Sequence, residues 1–120
     1  MNYTAKYKNR KKYEIYDGLH AVLYLNEQSV DPAKNNGACD SYSGPMTDGG
    51  TMVAAEGVTA ENCRDKLVAG LIGLGYDMDA QIAVLANGEN TPEHAAELAA
   101  FMATRAEAKR LVDEMLAREL

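Results

Sequence analysis

Tryptophan is absent from this chain, and Phe101 is the only phenylalanine. Seven tyrosines therefore carry nearly all of the aromatic surface. Tyrosine suits a sheet face or an interface, because its ring can be buried while its hydroxyl stays wet. Cysteine is also scarce: Cys39 and Cys63 are too few and too far apart for a disulfide scaffold or a zinc site. Long apolar runs are missing, and no stretch approaches the roughly twenty residues of a membrane span. The basic start runs into an alternating Tyr/Lys segment, not into the apolar core of a signal peptide. These absences lead to the expectation of a cytoplasmic protein with no membrane partner.

Acid is missing from one place. Residues 1–12 carry Lys6, Lys8, Arg10, Lys11 and Lys12 and no Asp or Glu. The remaining residues hold the other seven Lys and Arg against all eighteen acids, so a chain of formal net charge −6 has a basic end. Such asymmetry marks either an interaction end or a solvated hairpin tip whose lysines discourage edge-to-edge pairing. With 120 residues, 47% of them apolar and 25% charged, one modest core is within reach. The expectation is a single α+β domain over 1–120.

What is present begins with a hairpin signal. Asp17-Gly18 separates Lys12–Tyr16 from Leu19–Leu25, two runs rich in β-branched and aromatic residues. Asp-Gly suits a two-residue type I′ turn, which would set Tyr16 opposite Leu19 and Ile15 opposite His20. Tyr3 to Lys8 also alternates, and Asn9-Arg10 is a weaker turn, so a three-stranded meander is expected. One face would carry Tyr3, Tyr7, Tyr16, Leu19, Ala21, Leu23 and Leu25, the core candidates. The other would carry Lys6, Tyr13, Ile15, His20, Val22 and Tyr24. A slip of one residue would exchange the faces.

Residues 26–50 repeat turn chemistry (Asp31-Pro32, Asn35-Asn36-Gly37, Ser43-Gly44-Pro45, Asp48-Gly49-Gly50) and read as a long loop, a kind that is often functional. Thr51–Ala55 offers a fourth strand. Thr59 is a candidate N-cap for a helix over about 60–74, with Cys63, Leu67, Leu71 and Leu74 in one stripe and Gly70 and Gly73 placed for close packing. Asp77 caps a short helix anchored by Ile82 and Leu85. Thr91-Pro92-Glu93 opens a last helix in which Ala fills eight of thirty positions, with Leu98, Phe101, Met102, Ala108, Val112, Met115 and Leu116 in one broad stripe.

No motif demands one chemistry. Gly70, Gly73 and Gly75 have the spacing GxxGxG at a helix end, whereas a phosphate cradle needs its glycines before a helix, so no cofactor is expected. Cys39 with His20 lacks a third group to orient a base. The two His and two Cys show no metal-ligand spacing. Arg105 sits within the apolar stripe of the last helix, where it either salt-bridges Glu97, Glu107 or Glu14 or clamps an anion.

The sequence thus predicts an amino-terminal antiparallel β-meander of three or four strands against two or three carboxy-terminal helices. The function expected is a small non-enzymatic interaction module, regulatory or accessory, contacting a protein partner or a second copy. Its contact surface would be the second hairpin face with its basic rim: Lys6, Lys8, Arg10, Lys11, Tyr13, Ile15, Val22 and Tyr24. One alternative is a small-ligand or catalytic domain using the 35–50 loop with Arg105, His20 or Cys39. Another is nucleic-acid binding by the basic amino-terminal hairpin.

Overall fold

The computed structural model describes residues 2–31, 33 and 40–119. Cys39 and most of the 35–50 loop's first half lie outside the described residues. Among those described, the chain forms six strands and then three helices: β1 Tyr3–Tyr7, β2 Tyr13–Asp17, β3 His20–Leu23, β4 Gln28–Ser29, β5 Asp40–Gly44, β6 Thr51–Ala54, α1 Cys63–Gly75, α2 Met78–Asn87 and α3 Pro92–Ala117. The fold is α+β. The strands do not make a meander, however. They make two antiparallel sheets, ordered β1-β5-β4 and β2-β3-β6.

β1 pairs with β5, from Tyr3 opposite Gly44 to Tyr7 opposite Asp40. Asn9-Arg10 does not reverse the chain onto β2. Instead residues 8–12 cross from one sheet to the other, held where the Lys11 N–H donates to Glu27 and the Tyr24 N–H donates to the Lys12 carbonyl. The span expected as loop thus contributes β4 and β5.

The β2–β3 hairpin is present with a corrected corner. Asp17 pairs with His20, so Gly18 and Leu19 form the corner. Neither Asp17 nor Gly18 has positive φ, which rules out the type I′ turn. The Asp17 carboxylate accepts the Leu19 N–H at 2.8 Å, a local Asx bond that competes with the expected geometry. The register then shifts between Ile15 and Asp17, and Tyr16 is the extra residue of a bulge. Tyr13 consequently faces Leu23, and Glu14 faces Val22.

β3 is covered on both sides. Ala21, Leu23 and Leu25 join Val53, Leu67, Ile72, Phe101, Val112 and Met115 in the helix-side core. Val22 and Tyr24 pack with Tyr42 in a second cluster flanked by Ala5, Tyr7 and Met52, so the β1-β5-β4 sheet lies over the outer face. Three core candidates lie at solvent: Tyr3 on β1, Tyr16 on the bulge and Leu19 at the corner are all exposed. A Cβ on Gly70 would lie 2.8 Å from both the Ala54 carbonyl oxygen and a Val53 methyl, so α1 packs backbone against β6.

The helix caps largely follow the sequence. Asp77 accepts from the Ala80 N–H, and Thr91 accepts from the His94 N–H. Thr59 instead makes a reciprocal turn with Asn62 just before α1. α3 buries Phe101, Ala108, Val112 and Met115, while Met102 is exposed. α2 buries none of its residues. Ile82 and Leu85, expected as anchors, are 56% and 55% exposed.

Candidate functional site

Three helices enclose a groove of about 720 Å³. α1 contributes Val68 and Ile72, α3 contributes Phe101, and α2 contributes Met78 and Leu85, so the floor is apolar. The charged residues at its sides are Arg64, Arg105 and Lys109 against Asp65 and Asp77. Arg64 is already engaged: its Nε lies 2.7 Å from Asp113 Oδ1, and a second nitrogen lies 3.5 Å from Asp65. That contact holds the Asp113 carboxyl below the usual carboxylate range.

Arg105 and Lys109 have no ion pair among the described residues. The expected bridges from Arg105 to Glu97, Glu107 or Glu14 do not form. Glu107 is taken by Arg110, three residues along the same helix, at 2.6 Å. The Arg105 guanidinium carbon instead lies 6.0 Å from the centre of the Phe101 ring, where the stem covers apolar surface and the head stays at the groove. Groove volume and lining fall within the range typical of binding sites, apolar with a few converging polar groups.

The groove opens onto more apolar surface. Leu74, Met78, Ile82 and Leu85 are 58%, 70%, 56% and 55% exposed. Met78, Ile82 and Leu85 are spaced four and three residues apart, which puts them on one stripe of α2. Ile82 and Leu85 were expected to anchor this helix on the chain's own core; Met78 was not singled out.

The hairpin surface is built differently from expectation. Val22 and Tyr24 are 4% and 1% exposed, so the apolar excess that pointed to a contact face is the inner layer between two sheets. Tyr13 lies on the opposite, helix-side core, where burial and then the Cys63 thiol push its hydroxyl pKa up. Ile15 is exposed. Of the basic rim, Lys6, Lys8 and Arg10 are exposed, while Lys11 is half-buried. The Lys11 ammonium stands 4.9 Å from the centre of the Tyr24 ring and 5.3 Å from that of Tyr7. Arg10 reaches Asp40 at 3.6 Å and Glu27 at 3.7 Å.

Beneath that rim is a closed polar cluster. Asn26 adopts φ of 57°, a left-handed conformation that asparagine tolerates, and Glu27 follows it into the cluster. Glu27 accepts from the Tyr7 hydroxyl and from the Lys11 N–H, and its other oxygen is 3.5 Å from Arg118 Nε. Arg118 donates to the carbonyls of Lys11 and Tyr24 and to Glu114. Both the Glu27 and Arg118 side chains are 2% exposed. Burial, then the neighbouring carboxylate, pushes the Tyr7 hydroxyl pKa far up, and burial with Glu14 does the same for Tyr24. The cluster thus ties the crossover at residues 8–12 and the chain at Tyr24 to the end of α3.

The residues of the ligand alternative are not brought together. His20 sits at the hairpin corner, with Nδ1 2.9 Å from Asp17, and it does not line the groove that holds Arg105. Cys39 falls outside the described residues. No group of three or more His, Cys, Asp and Glu among the described residues is arranged to hold a metal ion. No single described helix is long and apolar enough to cross a membrane; α1 and α2 reach that composition only together, across an 82° bend. Compared with protein-family models, curated proteins and solved structures, the chain matches none.

Proposed function

We propose that this chain is a non-enzymatic protein-interaction module, with the α1–α2–α3 groove as its contact surface. The observation that carries this reading is α2, a helix that buries no residue and turns Met78, Ile82 and Leu85 to solvent. An amphipathic helix of a surface element ordinarily spends its apolar stripe on its own core. A contiguous patch of large apolar side chains beside a groove is the mark of a partner surface. The occupant is an amphipathic helix with an acidic edge. Its apolar residues would lie on Met78 and Leu85 over the floor at Val68 and Ile72, and its carboxylates would meet Arg105 and Lys109.

The test is an amide NMR titration with two synthetic helical peptides that share one apolar stripe and differ only in carrying Glu or Lys beside it. The Glu peptide is expected to shift resonances of Val68, Ile72, Leu85 and Arg105, and the Lys peptide to bind more weakly. Absence of any shift with both peptides overturns the reading. Equal binding by both would remove Arg105 and Lys109 from it.

A further inference from the structure

We infer that the helix this groove takes is α2 of a second copy of the chain, docked reciprocally about a two-fold axis. The inference rests on the interaction reading above and names its partner. The first support is charge. Residues 76–100 contain Asp77, Asp79, Glu89, Glu93 and Glu97 and no Lys or Arg. α2 and its flanks are therefore apolar and acidic, complementary to Arg105 and Lys109 on the α3 side of the groove, whose other charged lining is Arg64, already paired, with Asp65 and Asp77. The groove holds Arg105 and Lys109, neither of which has an ion pair among the described residues.

The second support is adjacency. Met78 and Leu85 line the groove, while Ile82 lies on the same helix. Because α2 forms one wall, bringing two copies together across α2 covers both stripes and both grooves in one contact. A patch that carries both halves of its own complement gives an isologous contact, which closes as a dimer instead of growing into a filament.

The experiment is sedimentation equilibrium of the full chain from micromolar to millimolar concentration. Wild type is expected to pass from monomer to twice the monomer mass, and Ile82→Asp to weaken that transition by about tenfold or more. A charge-swap pair tests the docking itself. Variant one carries Arg105→Glu and Lys109→Glu; variant two carries Asp79→Lys and Glu89→Lys. Each alone opposes like charges across both halves of the contact, so each should stay monomeric, whereas their mixture should form a mixed dimer. Circular dichroism of each variant checks folding. Should a variant fail to fold, a wild-type amide NMR dilution series replaces it, with shifts expected only around α2 and the groove.

A wild type that stays monomeric to millimolar concentration overturns self-docking. So does a dimer whose shifts map to the sheets, or a mixture of the swapped variants that does not associate. If the acidic peptide still binds the groove in those cases, the interaction reading stands and the partner is another protein. Binding to lipid vesicles with no peptide binding and no dimer would overturn both.

Discussion

Removing the Arg118 guanidinium would leave Glu27 and the carbonyls of Lys11 and Tyr24 facing one another, with the half-exposed Arg10 as the nearest remaining cation. Truncating one partner of a buried ion pair costs far more than the pair itself is worth, because the other charge stays desolvated. Arg118→Ala is therefore expected to lower unfolding stability by about 3–5 kcal/mol. Arg118→Lys should lose less, since it keeps the charge but not the fork that spans two carbonyls. Urea melts of both variants check this, and equal small losses would show that the cluster contributes little. A second residue-scale expectation concerns Asp17. Its carboxyl is held below the usual range, first by the Leu19 N–H and then by the His20 side chain. A lowered folded-state pKa adds stability that is present above the unfolded carboxylate value and lost as pH falls through the folded one. Followed by carboxyl NMR, the Asp17 titration should thus lie below that of a free aspartate. His20→Ala should raise it only partway, because the backbone donor remains. A complete return to the ordinary value would make His20 the whole cause.

Among the elements, two glycines of α1 should respond in opposite directions to the same change. Ala ordinarily stabilises a helix interior by about 1 kcal/mol over Gly. Gly73 has nothing within 4 Å of an added Cβ, so Gly73→Ala should gain part of that. Gly70 faces backbone and a Val53 methyl at 2.8 Å, so overpacking should win and Gly70→Ala should cost about 1–3 kcal/mol. Thermal melts of the two variants check the signs, and a stabilising Gly70→Ala would mean that α1 stands off the sheet. The same contrast explains what the sequence made legible. The helices and the caps at Asp77 and Thr91 follow from local chemistry, which acts within a few residues, whereas close packing was expected at both Gly70 and Gly73 and occurs only at Gly70. Strand partners do not follow from local chemistry. That β1 pairs β5 depends on Tyr42 fitting between Tyr7 and Tyr24, with ring centres 5.0 and 4.6 Å apart, a match between residues 18 to 35 positions distant. The hairpin corner failed for a smaller reason, since one Asx bond moved it by a residue and exchanged the faces of β2. Arg105 was identified as a candidate from its place in a stripe, but its groove partners on α1 and α2 required tertiary placement. Ile82 and Leu85 were visible as apolar positions of α2, and their exposure was not, because an apolar position does not say whose core it joins.

At the scale of the whole molecule, β3 decides how the parts hold together. Ala21 and Leu23, with Leu25 just beyond its end, serve the helix-side core, and Val22 and the following Tyr24, alternating with them, serve the tyrosine cluster. Neither core can lose this strand and persist. α3 adds a second tie, because Arg118 just beyond its end is bonded to Lys11 and Tyr24 on the sheet side. Two cores that share one strand should unfold together, as a two-state system. The aromatic composition makes this measurable: with no tryptophan, tyrosine fluorescence reports Tyr7, Tyr24 and Tyr42 in the sheet-side cluster together with Tyr13 and Tyr76 on the helix-side core, whereas far-ultraviolet circular dichroism reads mainly the helices. Urea transitions followed by the two signals should coincide, at dilutions where the chain is monomeric. Leu23→Ala, in the helix-side core, should move both midpoints together by about 2–5 kcal/mol of stability. Val22→Ala, in the tyrosine cluster, should also move both, by a smaller amount because fewer buried methyl groups are lost. If Val22→Ala shifted the tyrosine transition alone, the β1-β5-β4 sheet would be an independent layer, and the shared strand would not couple the two halves.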